Sequence, residues 1–335
     1  MKNRKINYFK NTLLLGLVLL TSISCERDLS DDATVATFPK TAEIFIDAPV
    51  GMGTNFYFPY GPDANNPVGS KFTAWSVDSD VSYRGSSSMR FDVPNANDPE
   101  GNYAGGILRI DGAGRNLTGY DALTFWAKAS QGVTIGEIGF GEDFFPNKYI
   151  ATRQNVSLGT AWVKYIIPIP DASKLLQEKG MFRYSAGTQN TNGLGYTFWI
   201  DDLKFEKLGT ILPLQASIMN GNNVVRSTFV GVTTSVTGII SSFNMPNGSN
   251  QSVTIAPAFL NFVSSNPAVA TVSDTGVVTP LTVGTAVITA TFGGQPTLGS
   301  LNINCTGTFV SAPIPTRNPA NVLSVFSNTY TNVPV

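Results

Sequence analysis

The chain contains no histidine. That absence removes the usual general base near neutral pH, the Ser-His and Cys-His nucleophile pairs, and the commonest zinc ligand. Charge is scarce as well: 13% of the 335 residues are charged and the net charge is -1. A chain so balanced has no electrostatic means of capturing nucleic acid. Only two cysteines occur, Cys25 and Cys305, so at most one disulfide can form within the chain. What remains is apolar without being helical in character. Hydrophobic residues make up 42%, too many for a disordered chain. Ser, Thr, Asn, Gly and Val are plentiful, as many short strands joined by turns require.

The first residues read as an export signal. Lys2, Arg4, Lys5 and Lys10 precede the apolar run Leu13 to Leu20. That run is too short to span a bilayer, which takes about 20 helical residues, and it is followed by small and polar residues. Ser22-Ile23-Ser24-Cys25 resembles the lipobox of bacterial lipoproteins, with Ser22 where Leu is usual. The resemblance implies removal of residues 1–24, lipidation of Cys25, and anchoring in the outer membrane facing the cell surface. Several acyl chains anchor stably where one does not. Residues 25–40 form a flexible acidic linker. Its Glu26, Asp28, Asp31 and Asp32 resemble the surface-export signal of Bacteroidetes-type lipoproteins, and read equally as a solvated charged stretch.

From about Ala42 short apolar runs alternate with period two. Met89, Phe91 and Val93 alternate with Arg90 and Asp92; Leu123, Phe125 and Ala127 with Thr124, Trp126 and Lys128. Phe198, Ile200 and Asp202 alternate with Trp199 and Asp201. Strands of this kind bury one face. Turn clusters such as Gly61-Pro62-Asp63 and Gly112-Ala113-Gly114 separate them, and a short helical turn fits near Ala172 to Lys179. The pattern predicts an all-β fold: a jelly-roll β-sandwich over 41–209 followed by an Ig-like β-sandwich over 210–307.

Within 41–209, Gly85-Ser86-Ser87-Ser88-Met89 and the run Leu123-Thr124-Phe125-Trp126-Ala127-Lys128 resemble strands of jelly-roll carbohydrate-binding modules. Trp162-Val163-Lys164-Tyr165 and Trp199-Ile200-Asp201-Asp202 complete the likeness. Phe262 to Val272, Gly276 to Thr279 and Gly284 to Ala290 closely resemble the bacterial Ig-like group 2 domain. Phe262 there replaces the usual Trp and Pro280 the usual Gly. Residues 308–318 form a Pro-rich linker. Residues 319–335 resemble the opening of a further module, too short to bury a core alone.

Aromatic faces can stack on the apolar faces of sugar rings. Trp126 and Trp199 alternate with core-type phenylalanines and so point away from the core; Trp75 and Tyr103 lie in loop-like surroundings. Phe144 and Phe145 belong to a run that could cover the site. These six are candidate sugar-binding residues, and packing within the sandwich is the competing reading for the tryptophans, including Trp162. The resemblance to similar jelly rolls implies a structural calcium ion (Ca2+) held by Glu43, Asp47, Asp201 and Asp202, since calcium takes six to eight oxygens. Glu137 to Asp143 invites comparison with a paired-carboxylate glycosidase strand, but Gly139 stands where the central Asp belongs. Cys305 reads as a buried strand thiol.

These readings describe a non-catalytic, cell-surface lipoprotein that binds polysaccharide through the jelly roll and uses the Ig-like region as a spacer. Its expected partners are polysaccharide, the membrane through the lipid anchor, and outer-membrane glycan transport proteins. The rival readings are an adhesion protein without a glycan site, and the N-terminal part of a secreted glycoside hydrolase.

Overall fold

A computed structural model describes residues 37–144, 149–310, 314–325, 329–331 and 333. The signal segment, Cys25, most of the acidic linker and Phe145 lie outside the described residues. The first part of the fold is a two-layer sandwich. Its strands are β1 (Glu43–Phe45), β2 (Tyr57–Pro59), β3 (Trp75–Asp78), β4 (Ser88–Val93), β5 (Ala104–Arg109) and β6 (Ala122–Ala129). β7 (Val133–Phe140), β8 (Ala151–Leu158), β9 (Val163–Pro168), β10 (Gly180–Ala186) and β11 (Tyr196–Glu206) complete it. One sheet runs β3-β4-β11-β6-β9, with β1 also on β11; the other contains β2-β5-β10-β7-β8.

The alternation read in the sequence matches the burial. Met89, Phe91 and Val93 of β4 and Leu123, Phe125 and Ala127 of β6 all face the core. Phe91 stacks on Phe198 with ring centroids 4.6 Å apart, and Tyr184 packs edge-on against Phe91, also at 4.6 Å. β11 departs from simple alternation. Asp202 adopts φ 50, and the pairing with β6 shifts register between Asp201 and Lys204. The irregularity reverses the phase of the strand, so Asp201, Leu203 and Phe205 are buried and Asp202 is turned outward. The expected placement of Asp202 on the face of Phe198 and Ile200 is therefore corrected. The helical turn expected at Ala172 to Lys179 is a 3-10 turn over Ala172–Lys174, capped by Asp171.

The second part comprises β12 (Leu212–Ser217), β13 (Asn223–Val230), β14 (Thr234–Ser235), β15 (Ile240–Asn244), β16 (Asn250–Ile255) and β17 (Asn261–Ser264). It continues with β18 (Ala270–Val272), β19 (Val277–Pro280), β20 (Gly284–Phe292), β21 (Gln295–Pro296) and β22 (Ser300–Thr308). β13-β22-β20-β17 form one sheet, with β21 on β20, and β14-β19-β18 a smaller one. Cys305 is buried there and unpaired, as its position in an apolar strand suggested. After β22 the described residues include a 3-10 turn at Pro319–Asn321.

β12, β15 and β16 do not join these sheets. They extend the second sheet of the sandwich, giving the order β12-β15-β16-β8-β7-β10-β5-β2. Across the seam Thr254 stands opposite Thr152 and Ile255 opposite Ala151. The Ala256 N–H donates to the Ile150 carbonyl at 2.8 Å, and Lys174 Nζ to that of Ala258 at 2.6 Å. Buried apolar residues on both sides of the seam form one contiguous cluster. The two regions meet in sequence near Gly209-Thr210, between β11 and β12, yet they share a sheet and a core.

Candidate functional site

Trp126 and Trp199 do leave the core, as their alternation with Phe125 and Phe198 required. Each ring meets neighbours on the outer side of the sheet. Tyr83 stacks on Trp126 at 3.9 Å and lies 6.0 Å from Trp162. The Trp199 indole N–H donates to Asp78 at 2.8 Å, and Lys128 and Arg90 lie 5.4 and 5.9 Å from its ring centroid. That indole hydrogen bond is the main cause holding the Asp78 carboxyl below its ordinary range. Arg90 is in turn ion-paired to Asp78 and Asp92. The outer face of the first sheet is thus a self-satisfied network.

Trp75 is not in a loop. It opens β3, and its ring lies between Phe56 and Tyr57 with centroids 5.4 and 5.2 Å away. Its buried indole N–H has no partner among the described residues. The ring closes an edge of the sandwich, where the ends of the two sheets meet.

Of the four carboxylates expected to hold calcium, Asp47 and Asp201 meet the same loop, residues 83–87. Asp47 accepts N–H bonds from Ser86 at 2.5 Å and Ser87 at 3.0 Å. Asp201, buried, accepts from Tyr83 at 2.7 Å, Arg84 at 3.1 Å and Asp202 at 2.7 Å. Asp202 pairs with Lys204 at 3.1 Å, and Glu43 sits opposite Lys204 on β1. Among the described residues no group of three or more carboxylates, cysteines or histidines gathers to hold a metal. Backbone N–H groups engage Asp47 Oδ1 and both Asp201 oxygens and Lys204 engages Asp202, whereas among the described residues no N–H bond goes to Asp47 Oδ2 or the Glu43 carboxylate.

The outer face of the second sheet is built differently. Gly105, Ser185, Glu137 and Gln154 stand opposite one another across β5, β10, β7 and β8. The next row is Phe58, Ile107, Arg183, Gly139 and Thr152. Two glycines in these rows admit close approach. A Cβ on Gly105 would lie 2.7 Å from the Tyr103 ring and 3.0 Å from the Tyr60 ring. One on Gly139 would lie 2.5 Å from the Thr152 methyl. Tyr60 and Tyr103 therefore lean over a floor without side chains.

Arg183 occupies the centre. It pairs with Glu137 at 2.9 Å and with Glu142 at 2.7 Å, and the Tyr60 hydroxyl donates to Glu142 at 2.6 Å. Burial alone would lower the Arg183 pKa, but Tyr60, Glu137 and Glu142 hold it raised. Burial pushes the Tyr60 and Tyr103 hydroxyls up, so both remain neutral donors. Glu137 and Glu142, both within the run compared with a glycosidase strand, are engaged by one guanidinium. At one end Phe144, 51% exposed, packs edge-on against Phe58 at 4.7 Å, with the Arg109 guanidinium 4.9 Å from its centroid.

Two hollows open on this face. One, about 460 Å³, is bordered by Asn66, Asn102, Tyr103 and Thr188; the other, about 340 Å³, by Thr134, Glu137, Gln154 and Asn190. Ser185 and Gln189 border both, so the two are contiguous. Rings, amides and hydroxyls in one shallow depression suit a ligand with apolar faces and many hydroxyls. Of the candidate residues read from the sequence, the structure brings Tyr103 and Phe144 to this sheet face. Tyr60, Arg183, Gln154 and Gln189 were missed; glycines inside the β5 and β7 patterns were the available signal.

The family model described as Carbohydrate binding domain 30 matches residues 54–207, and that described as Bacterial Ig-like domain (group 2) matches 245–297. No match is found among curated proteins. Among solved structures, a family 30 carbohydrate binding module is 20% identical, with 49% of this chain and 86% of that one covered and a TM-score of 0.35. A family 30 module of a cellulosomal cellulase of Clostridium thermocellum is 16% identical over 51% of this chain and 95% of that one, with a TM-score of 0.31. A family 11 module of Clostridium thermocellum, solved with a β-1,3-1,4-mixed-linked tetrasaccharide, is 11% identical over 50% and 96%, with a TM-score of 0.32. Residues 54–207 are thus similar to a carbohydrate-binding module and residues 245–297 to a bacterial Ig-like domain.

Proposed function

We propose that this chain is a non-catalytic glycan-binding lipoprotein of the cell surface, anchored at Cys25, that holds a polysaccharide on the outer face of its second sheet. The observation that carries the reading is the pair of contiguous hollows bordered by Tyr103, Ser185 and Gln189, beside the side-chain-free floor at Gly105 that Tyr60 flanks. The match of 54–207 to a carbohydrate-binding family supports it. Sugar rings stack on the tyrosines, and Gln154, Gln189 and Ser185 bond their hydroxyls. The lipid anchor places this face within reach of extracellular polysaccharide and of outer-membrane glycan transport proteins.

Affinity electrophoresis against a panel of polysaccharides tests the site. Tyr60→Ala and Tyr103→Ala each remove a stacking surface of roughly 1–2 kcal/mol and should weaken binding about tenfold. Trp126→Ala should leave it unchanged, because Tyr83 already covers that ring. Loss of binding in Trp126→Ala but not in Tyr60→Ala would place the ligand on the first sheet. Binding of no glycan at all would leave the adhesion reading. The anchor is tested in the same cells: Cys25→Ala should release the protein from membranes and abolish fatty-acid labelling.

A further inference from the structure

The seam between the two regions contains a charge without a counterpart. Arg153 lies on β8 opposite Ile138, on the inner side of the second sheet. Burial lowers its pKa, opposed by the neighbouring Tyr165 hydroxyl. Among the described residues it makes no hydrogen bond and no ion pair. Lys164, close by, is already neutralised by Glu206 at 2.5 Å. Arg153 opens instead into a hollow of about 410 Å³.

The walls of that hollow come from both regions. Tyr165 and Ile166 belong to β9; Met245, Asn247, Ser249 and Gln251 belong to the β15–β16 hairpin. The hairpin is held in place: Gln251 donates to the Ile166 carbonyl at 2.9 Å, and Asn247 accepts from the Ser249 N–H at 3.0 Å. A half-buried guanidinium with no protein acceptor is left facing the hollow, free to take an anionic partner there. A carboxylate is the group that matches its fork, through two parallel N–H bonds. Ile166 and Met245 provide an apolar wall, and Asn247, whose Oδ1 already accepts from the Ser249 hydroxyl, keeps its amide N–H groups for a ligand oxygen. That combination fits a sugar ring bearing a carboxylate better than a free anion, which would leave the apolar wall unused.

We propose that the seam hollow is a second binding site, for a uronic acid residue of a polysaccharide, with Arg153 as its carboxylate fork. It rests on the glycan-binding reading only in taking the ligand to be a sugar; site and face are separate. Titration calorimetry of the full chain tests it with three probes: oligosaccharides of glucuronate or galacturonate, neutral oligosaccharides of the same length, and an aspartate-rich peptide. The uronate oligosaccharides should bind, and Arg153→Gln should weaken them about tenfold or more. Arg153→Lys should retain part of the affinity, since it keeps the charge but not the fork. Tyr60→Ala should leave uronate binding intact while reducing that of neutral glycans, which separates this site from the sheet face. The melting temperature of Arg153→Gln should be unchanged or raised, because an uncompensated charge is removed. Absence of uronate binding, equal binding by Arg153→Gln, or preference for the peptide would overturn the proposal. So would a marked fall in the melting temperature of Arg153→Gln, which would assign the residue to structure.

Discussion

Glu178 shows how one buried side chain sets a pH dependence. It is 7% exposed, and its carboxyl accepts N–H bonds from Lys179 at 3.0 Å and Gly180 at 2.8 Å. Burial, the largest cause, raises its pKa from 4.5 to about 7. The folded chain therefore keeps this proton over a range where the unfolded chain has lost it. The stabilisation is fully present below the unfolded value and disappears as pH rises through about 7. A shift of this size corresponds to roughly 3 kcal/mol. Glu178→Gln keeps a neutral acceptor and should flatten the profile, so that the variant loses less melting temperature than the wild type between acidic and mildly alkaline buffer. Identical profiles would show that Glu178 is not the titrating group. None of this was legible in the sequence. The same holds for buried Arg115, whose hydrogen-bond partners include the backbone carbonyls of Thr41 and Glu43. Residues satisfied by distant main chain leave no spacing to read. Trp126 and Trp199 were legible in direction, because period two fixes the face, but not in availability, which Tyr83, Asp78 and Lys128 decide from other elements.

At the scale of elements, β7 and β8 shape the proposed binding face. Asn155 adopts φ 53, and around it the buried set changes phase: Val156 and Leu158 face inward on one side, Ala151 on the other. Opposite, Ile135 and Ile138 are both buried, so Thr134 and Glu137 can border the same hollow. Gly139 then admits β8 at close range, since a Cβ there would fall 2.2 Å from the Ala151 carbonyl oxygen. That neighbour is backbone and cannot swing aside. Gly139→Ala should cost about 1–3 kcal/mol, the range for overpacking, measured as a lowered denaturant midpoint. A neutral result would mean that the two strands are looser than their register implies. The strands themselves were readable from alternation and turn residues. Their phase changes were not, because Asn155 and Asp202 resemble ordinary strand polar residues until their φ is known.

At the scale of the whole molecule, the sequence suggests two sandwich regions meeting near Gly209. The shared sheet and core favour one cooperative unit instead. The full chain should melt in a single transition, and residues 37–209 expressed alone should melt lower and self-associate, because β8 becomes an edge with bare N–H and C=O groups. A fragment as stable and monomeric as the parent would restore independence. The seam escaped the sequence because its hydrogen bonds are main-chain ones, formed equally well by many residue types. It also governs how the protein bears a load. With the chain held from its N-terminal side, a pull on the sheets of β13 to β22 crosses the β8–β16 pairing, which consists of the Thr254–Thr152 and Ile255–Ala151 pairs and few bonds besides. Tension along the strands would stretch those bonds together, whereas tension across them would open them one after another like a zip. The direction of pull on the C-terminal region thereby decides whether the seam resists or parts.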